Sequence, residues 1–246
     1  NVPLLYAHIE KTMQVIIDED VRIVFTSGGN HGLWTGVLKG KGIKVAHVVP
    51  GAKYAAKTEA AGVDAVVAEG FEAGGHNGRE ETTTLCLIPK VRETIKIPLI
   101  AAGGITGGRA MLAAMVLGAE GVQLGTRFVA SLECSAHVNF KQKVLECAEG
   151  GTILALKKLA PVRLLSNKFC AEVLELESSG AGTEELTLLL GKGRAGKGMY
   201  EGDMEDGELE IGQAASLVKD IRPAGEIVRN IWNEYLQARK ELGPNC

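Results

Sequence analysis

From residue 21 the chain alternates short, nearly continuous apolar runs with longer stretches of helical periodicity. The runs are "VRIVFTS" (21–27), "KVAHVV" (44–49), "DAVVAEG" (64–70), "PLIAAGG" (98–104) and "GVQLGTRF" (121–128). Unbroken apolar segments of this length read as strands buried on both faces. Between them, amphipathic stretches such as "AAKTEAAG" and "GRAMLAAMVLG" supply crossover helices, so the strands are expected to be parallel. Strand starts lie roughly 20 to 35 residues apart, the length of a βα unit.

Two junctions repeat each other, Gly62-Val63-Asp64-Ala65-Val66 and Gly118-Ala119-Glu120-Gly121-Val122. In each, a glycine is placed to end a helix in the left-handed conformation and an acid precedes the next strand. Five strands are counted, with a sixth in "NVPLL"; a closed eight-stranded barrel needs two more, which residues 134–246 are not expected to supply. After Cys134 the pattern turns mainly helical, through "NFKQKVLECAE", "EELTLLLGKG" and a last helix with Ile227, Ile231 and Leu236 near one stripe. Residues 178–207, rich in Gly, Glu and Lys, read as a mobile connection or lid. The expected division is a barrel portion over 1–133, a helical lid segment over 134–207, and C-terminal helices over 208–246 that pack back on the barrel.

Composition sharpens this picture. The 246 residues are 46% hydrophobic and only 4% aromatic, enough for a large aliphatic core. A net charge of -3 with scattered Lys and Arg carries no nucleic-acid footprint. No apolar run approaches the roughly 20 residues of a membrane span. Cys86, Cys134, Cys147, Cys170 and Cys246 are widely and irregularly spaced, which favours a reduced, cytoplasmic chain with unpaired thiols. No His, Cys, Asp or Glu pair has metal-ligand spacing, so no metal is expected. The chain opens on Asn1 without an initiator Met and reads as one entered midway.

The candidate chemistry gathers where strands end. Gly103-Gly104 follows "PLIAA" and Gly125-Thr126 follows "GVQL" one unit later, two glycine turns in register. In a parallel barrel such loops commonly bind phosphate through backbone N–H groups near a helix N-terminus. In "AEGFEAGGHNG" (68–78) the pair Gly74-Gly75 leads instead to His76. Those glycines read as room for a flat ligand, with His76 as general acid or base. Glu69 reads either as a core carboxylate satisfied by backbone N–H groups or as an acceptor for a ligand's polyol. His47 reads as a satisfied strand residue and His31 as a loop or helix-start residue, while His8 and His137 suggest nothing beyond surface or structural positions.

Together, "AEGFEAGGHNG", "IPLIAAGGITGGRAMLAAMVLGAEGVQLGTRFVA" and "SAHVNFKQK" resemble the FMN-dependent enoyl-[acyl-carrier-protein] reductase II and nitronate monooxygenase family. The resemblance implies an α/β fold, a TIM (β/α)8 barrel here lacking its first two strands, carrying FMN at its C-terminal face, with a mostly helical C-terminal segment. It assigns Gly103, Gly104, Gly125 and Thr126 to the phosphate, Glu69, Gln123 and Asn1 to flavin contacts, and Gly74, Gly75 and His76 to the loop beside the flavin ring. It implies NADH or NADPH as electron donor, a small-molecule or acyl-carrier-protein-bound enoyl substrate, and admits a homodimer. "AEG" in place of the monooxygenases' "AQG", and the compact "REETTTLCLIPKV" after the histidine, favour the reductase. The alternatives are a nitronate monooxygenase, in which His76 is a base towards a nitroalkane, and an inactive barrel remnant.

Overall fold

The computed structural model describes residues 1–5 and 7–243. In chain order it forms β1 (Val2–Pro3), α1 (Ile9–Asp18), β2 (Ile23–Ser27), α2 (His31–Gly40), β3 (Lys44–Val49), α3 (Ala52–Ala60), β4 (Ala65–Glu69) and β5 (Gly75–His76). There follow α4 (Thr84–Thr94), β6 (Leu99–Ala102), α5 (Gly108–Val116), β7 (Gly121–Gln123), α6 (Thr126–Val129), α7 (Val138–Glu146), β8 (Thr152–Ala155) and β9 (Val162–Leu165). The remainder is α8 (Lys168–Ser178), α9 (Thr183–Leu190), α10 (Arg194–Met199), a 3-10 turn at Gln213–Leu217 and α11 (Ala224–Leu242).

These elements divide into two compact units. The first comprises Asn1–Glu69, Thr84–Ala102 and Ala114–Gln123; the second comprises Gly70–Thr83, Gly103–Ala113 and Leu124–Cys246. The first unit holds a six-stranded, all-parallel sheet in the order β1-β2-β3-β4-β6-β7. Each strand pairs with the next one of this unit in sequence, and the order never reverses as it does in a doubly wound sheet; this is the winding of a (β/α) barrel.

Side chains alternate along each strand. One face carries Val24, Thr26, Val45, His47, Val66, Ala68, Leu99 and Ala101, all buried. The other carries small residues, with Ala46, Val67 and Ala102 clustering against Phe25, Val48, Ala65 and Ile100. Gly62 and Gly118 end their helices at φ of +85° and +107°, as the repeated junctions require. The acids that follow tie the units of the repeat together: Asp64 accepts from Val45 N at 2.9 Å, and Glu120 pairs with Arg92 at 2.9 Å.

The expected strand over 121–128 is shorter than read. β7 stops at Gln123, and Thr126–Val129 turns into helix, because Gly125 interrupts the extended run and begins a new turn. Within residues 178–207 the structure places α9 over the stretch read as helical, "EELTLLLGKG", and adds α10.

The second unit also contains strands that the mainly helical reading passed over. β5, β9 and β8 form an antiparallel sheet, with Gly75 opposite Arg163 and His76 opposite Val162. Around it lie two cores. One gathers Ala130, Phe140, Val144, Leu165, Leu209 and Ile211; the other gathers Leu156, Leu164, Phe169, Cys170, Val173 and Leu186. α11 buries Ile227, Tyr235 and Ala238, with Ile231 and Leu236 of the expected stripe only partly covered. It lies against the start of α5, where a Cβ on Gly108 would overlap the backbone of Ile231 and Tyr235. Cys147 and Cys170 are buried and Cys86 is exposed; Cys246 lies outside the described residues. Among the described residues no helix is long and apolar enough to cross a membrane.

Candidate functional site

In the first unit, Glu69, Ala102 and Gln123 are register partners at the C-terminal ends of β4, β6 and β7. By strand alternation they share the face lined by Ala65, Val67 and Ile100. Burial pushes the Glu69 carboxyl up to about 7, and among the described residues no donor hydrogen-bonds to it. A partly exposed carboxylate in this place is available as an acceptor for donors of a bound molecule. Asn1 is exposed and stands one residue before β1, whose Val2 pairs with Thr26.

His47 lies on the opposite, helix-covered face. Its Nδ1 is 2.7 Å from Thr26 Oγ1, and its ring sits 4.8 Å from that of His31, the first residue of α2. Burial, and secondarily the neighbouring His31, lower its pKa to about 4. His47 is therefore a neutral, satisfied strand residue, as the sequence suggests.

In the second unit the loop bearing His76 is held from several sides. Phe71 N donates to Thr82 O at 2.9 Å, and Asn77 Nδ2 donates to the carbonyls of Ala73 and Gly75 at 2.9 and 3.1 Å. Arg163, 2% exposed, donates to Phe71 O from Nε and Nη2 and lies 4.4 Å from the centre of the Phe71 ring. Against this rigid base His76 itself is exposed at the end of β5. An imidazole so placed can exchange protons with a bound molecule.

The glycines before it have a specific neighbour. A Cβ on Gly74 would stand 2.5 Å from Gly212 N and 2.6 Å from Ile211 Cα, and one on Gly75 would stand 2.6 Å from Glu210 Oε2. The close approach that the sequence reading reserves for a flat ligand is, within this unit, made to the chain's own segment 210–212. That segment also meets the second glycine turn: Gly212 N donates to Thr126 Oγ1 at 3.1 Å, leaving the Thr126 hydroxyl proton available for an anion.

Gly103 and Gly104 adopt φ of +96° and +71°, so both positions of the first turn need glycine, whereas Gly125 at φ -100° does not. One side of Gly104 is closed by the Glu72 side chain, 3.4 Å from a built Cβ, whereas nothing lies within 4 Å of a Cβ on Gly125. The start of α5 is already occupied by an anion of the chain: Glu234 Oε2 accepts from Gly108 N at 2.7 Å. Any phosphate in this unit would therefore meet the glycine turns and Thr126, with the helix N-terminus neutralised by α11.

A model of the nitronate monooxygenase family matches residues 3–234 of this chain. The chain belongs to the nitronate monooxygenase family. It is 34% identical over 213 residues to the nitronate monooxygenase of Paraburkholderia phytofirmans, covering 83% of this chain and 58% of that protein. Among solved structures it resembles FabK from Thermotoga maritima, at 38% identity and a TM-score of 0.91 over 98% of this chain and 76% of FabK. The nitroalkane oxidase of Streptomyces ansochromogenes is similar at 29% identity and a TM-score of 0.78, over 95% of this chain and 70% of that one. The chain thus spans about 58% of the length of the curated relative it matches.

Within this nitronate monooxygenase family member, sequence reasoning missed Arg163 and the segment 208–212. Glu208 is buried, and burial raises it to about 7 with Glu210 adding to the rise; burial also raises Glu210. "GELEIGQ" alternates acids with Leu and Ile, the one signal that could have marked an extended segment with two inward carboxyls. Among the described residues no group of three or more His, Cys, Asp or Glu is placed to hold a metal.

Proposed function

We propose that this chain is part of an FMN-dependent oxidoreductase that reduces a trans-2-enoyl thioester on acyl carrier protein, with NADH or NADPH as electron donor. The observation that carries the reading is the likeness to FabK, an enoyl-acyl-carrier-protein reductase II, at 38% identity across 98% of the chain. That is broader and higher than the likeness to nitroalkane oxidase.

The residues present fit the cofactor. In the second unit Gly103, Gly104, Gly125 and Thr126 offer positive-φ turns, open space and a hydroxyl donor suited to its phosphate. In the first, Glu69 and Gln123 offer an unpartnered acceptor and an amide in one register row, suited to a polyol or a ring edge, and Asn1 is the third contact the resemblance assigns there. When bound, FMN would supply hydride to the β-carbon of the enoyl thioester.

The chain's own contribution is the proton. Hydride addition at the β-carbon leaves negative charge on the thioester enolate, and protonation at the α-carbon completes the saturated chain. His76 is the exposed general acid for that transfer, an imidazolium N–H giving its proton to the α-carbon. Gly74 and Gly75 set its approach, and Arg163 holds its loop against β9.

The second reading, oxidation of nitronates with O2, is favoured by the family model over residues 3–234 and by the curated relative. There His76 takes the proton from a nitroalkane's α-carbon. Anaerobic addition of NADH or NADPH to the flavin-loaded protein, followed by crotonyl thioester, separates the two. Bleaching and then reoxidation by the thioester is expected; no bleaching, with rapid oxygen uptake on a nitronate, eliminates the reductase. A colourless protein that does not take up FMN would return the chain to an inactive remnant. His76→Ala is expected to keep its flavin and lose turnover.

A further inference from the structure

We infer that Glu210 is a positioning residue for His76, its carboxylate holding a proton on the imidazole so that the pair supplies the acid. This rests on the assignment of His76 to proton transfer in the reading above.

The placement follows from strand register. β9 is paired with β8 on one edge, with Ile153 opposite Leu164. Its other edge meets His76 at Val162, Gly75 at Arg163 and, next in line, Glu210 at Leu164. The bond from Leu165 N to Leu209 O, 2.8 Å, continues that edge. Glu210 and the β5 histidine are thus neighbours along one strand edge, although 134 positions separate them in sequence.

The carboxylate also lies against the residue that precedes the histidine. Oε2 of Glu210 occupies the place where a side chain on Gly75 would begin, 2.6 Å from a built Cβ. Only glycine, here at φ +73°, leaves that room in the residue immediately before His76.

The surrounding charges leave His76 as the cation that Glu210 faces. Glu208, on the same segment, is a like charge and is itself countered by Arg194 of α10. Arg194 donates to backbone carbonyls of Leu189, Leu190 and Asp206 and lies over the Phe169 ring. Arg163 of β9 is committed to Phe71 O, with Glu72 and Glu81 as its electrostatic partners. Burial raises the partly buried Glu210 carboxyl, and the nearby His76 opposes that rise. A carboxylate placed near an imidazole favours its protonated form.

The test is the NMR titration of the His76 imidazole in the full-length, flavin-loaded chain without substrate, the resonance assigned by its loss in His76→Ala. In Glu210→Gln the midpoint is expected to fall by about one pH unit, a roughly tenfold loss in the ratio of imidazolium to imidazole at neutral pH. Glu210→Met, apolar and of similar length, should show the same fall. A change below about 0.2 unit in both variants overturns the inference, as does a larger fall in Glu208→Gln than in Glu210→Gln. Because no substrate is present, failure of the reductase reading is read separately: wild-type protein that shows the pair but never reoxidises with an enoyl thioester keeps Glu210 as the partner of His76 and removes the reductase assignment.

Discussion

Arg163 grips Phe71 twice, its Nε and Nη2 donating to one carbonyl oxygen at 3.1 and 3.0 Å while its guanidinium lies over the Phe71 ring. The planar fork does what no other side chain can at this place: it satisfies a loop carbonyl and stacks on an aromatic face at once. The loop that presents His76 is thereby tied to the centre of an antiparallel sheet.

Arg163→Met removes both donors and leaves the Phe71 carbonyl unpaired. A loss of about 1.5–3 kcal/mol is expected, measured as a lower urea midpoint, together with new protease cleavage within Gly70–Thr83. A midpoint unchanged from wild type would show that the loop holds itself.

Gly74 and Gly125 should respond oppositely to alanine. A methyl on Gly74 meets the backbone of Ile211 and Gly212, which cannot swing away, so Gly74→Ala is expected to destabilise by at least about 2 kcal/mol. Gly125 has φ -100° and open space, so Gly125→Ala should leave stability within about 0.5 kcal/mol. If Gly125 faces the phosphate, the same variant retains less FMN after dialysis. Wild-type flavin retention in Gly125→Ala would remove that residue from the cofactor site.

His47 predicts an acid limb. Its pKa, held at about 4 by burial and by His31, lies below the ordinary 6.5. As pH falls from 6.5 towards 4 the unfolded chain takes up a proton that the native state refuses, so stability declines by up to roughly 3 kcal/mol across that window. Urea midpoints of wild type and His47→Gln, measured from pH 7 to 4, should converge at the acid end as the variant's slope flattens. Parallel curves would contradict this.

Glu69 predicts the opposite slope in flavin-free protein. With its carboxyl pushed up to about 7 by burial, the native state keeps a proton that the unfolded chain releases near 4.5. The destabilisation therefore grows as pH rises from 4.5 to 7, again by up to roughly 3 kcal/mol, and is absent below 4.5. Glu69→Gln should gain stability relative to wild type at pH 8 and lose that advantage at pH 4. FMN binding, if its hydroxyls donate to Glu69, should shrink the wild-type slope.

The strands of the first unit were legible because their signal is local. β3, β4 and β6 are buried along most of their length, so their inner positions are predominantly apolar, and each ends in the polar or glycine turn that the sequence displays. β7 was overread because apolar content continues past Gly125 while the backbone does not. β8 and β9 were missed because "TILA" and "VRLL" are four residues each and one carries an arginine at its centre. That arginine is tolerated in a buried strand only because a carbonyl from a distant loop receives it.

Periodicity and backbone freedom within a few residues already carry the parallel βα alternation and the left-handed glycines at Gly62 and Gly118. Packing alone reveals that Gly74 and Gly75 admit Ile211, Gly212 and the Glu210 carboxylate, that Arg163 anchors Phe71, and that Glu234 occupies the start of α5. Those pairings join residues 92 to 138 positions apart. No local pattern encodes them, because the partner of a buried charge or of a side-chain-free backbone is fixed by packing, when desolvation forces each polar group to find whichever complement the fold brings to it.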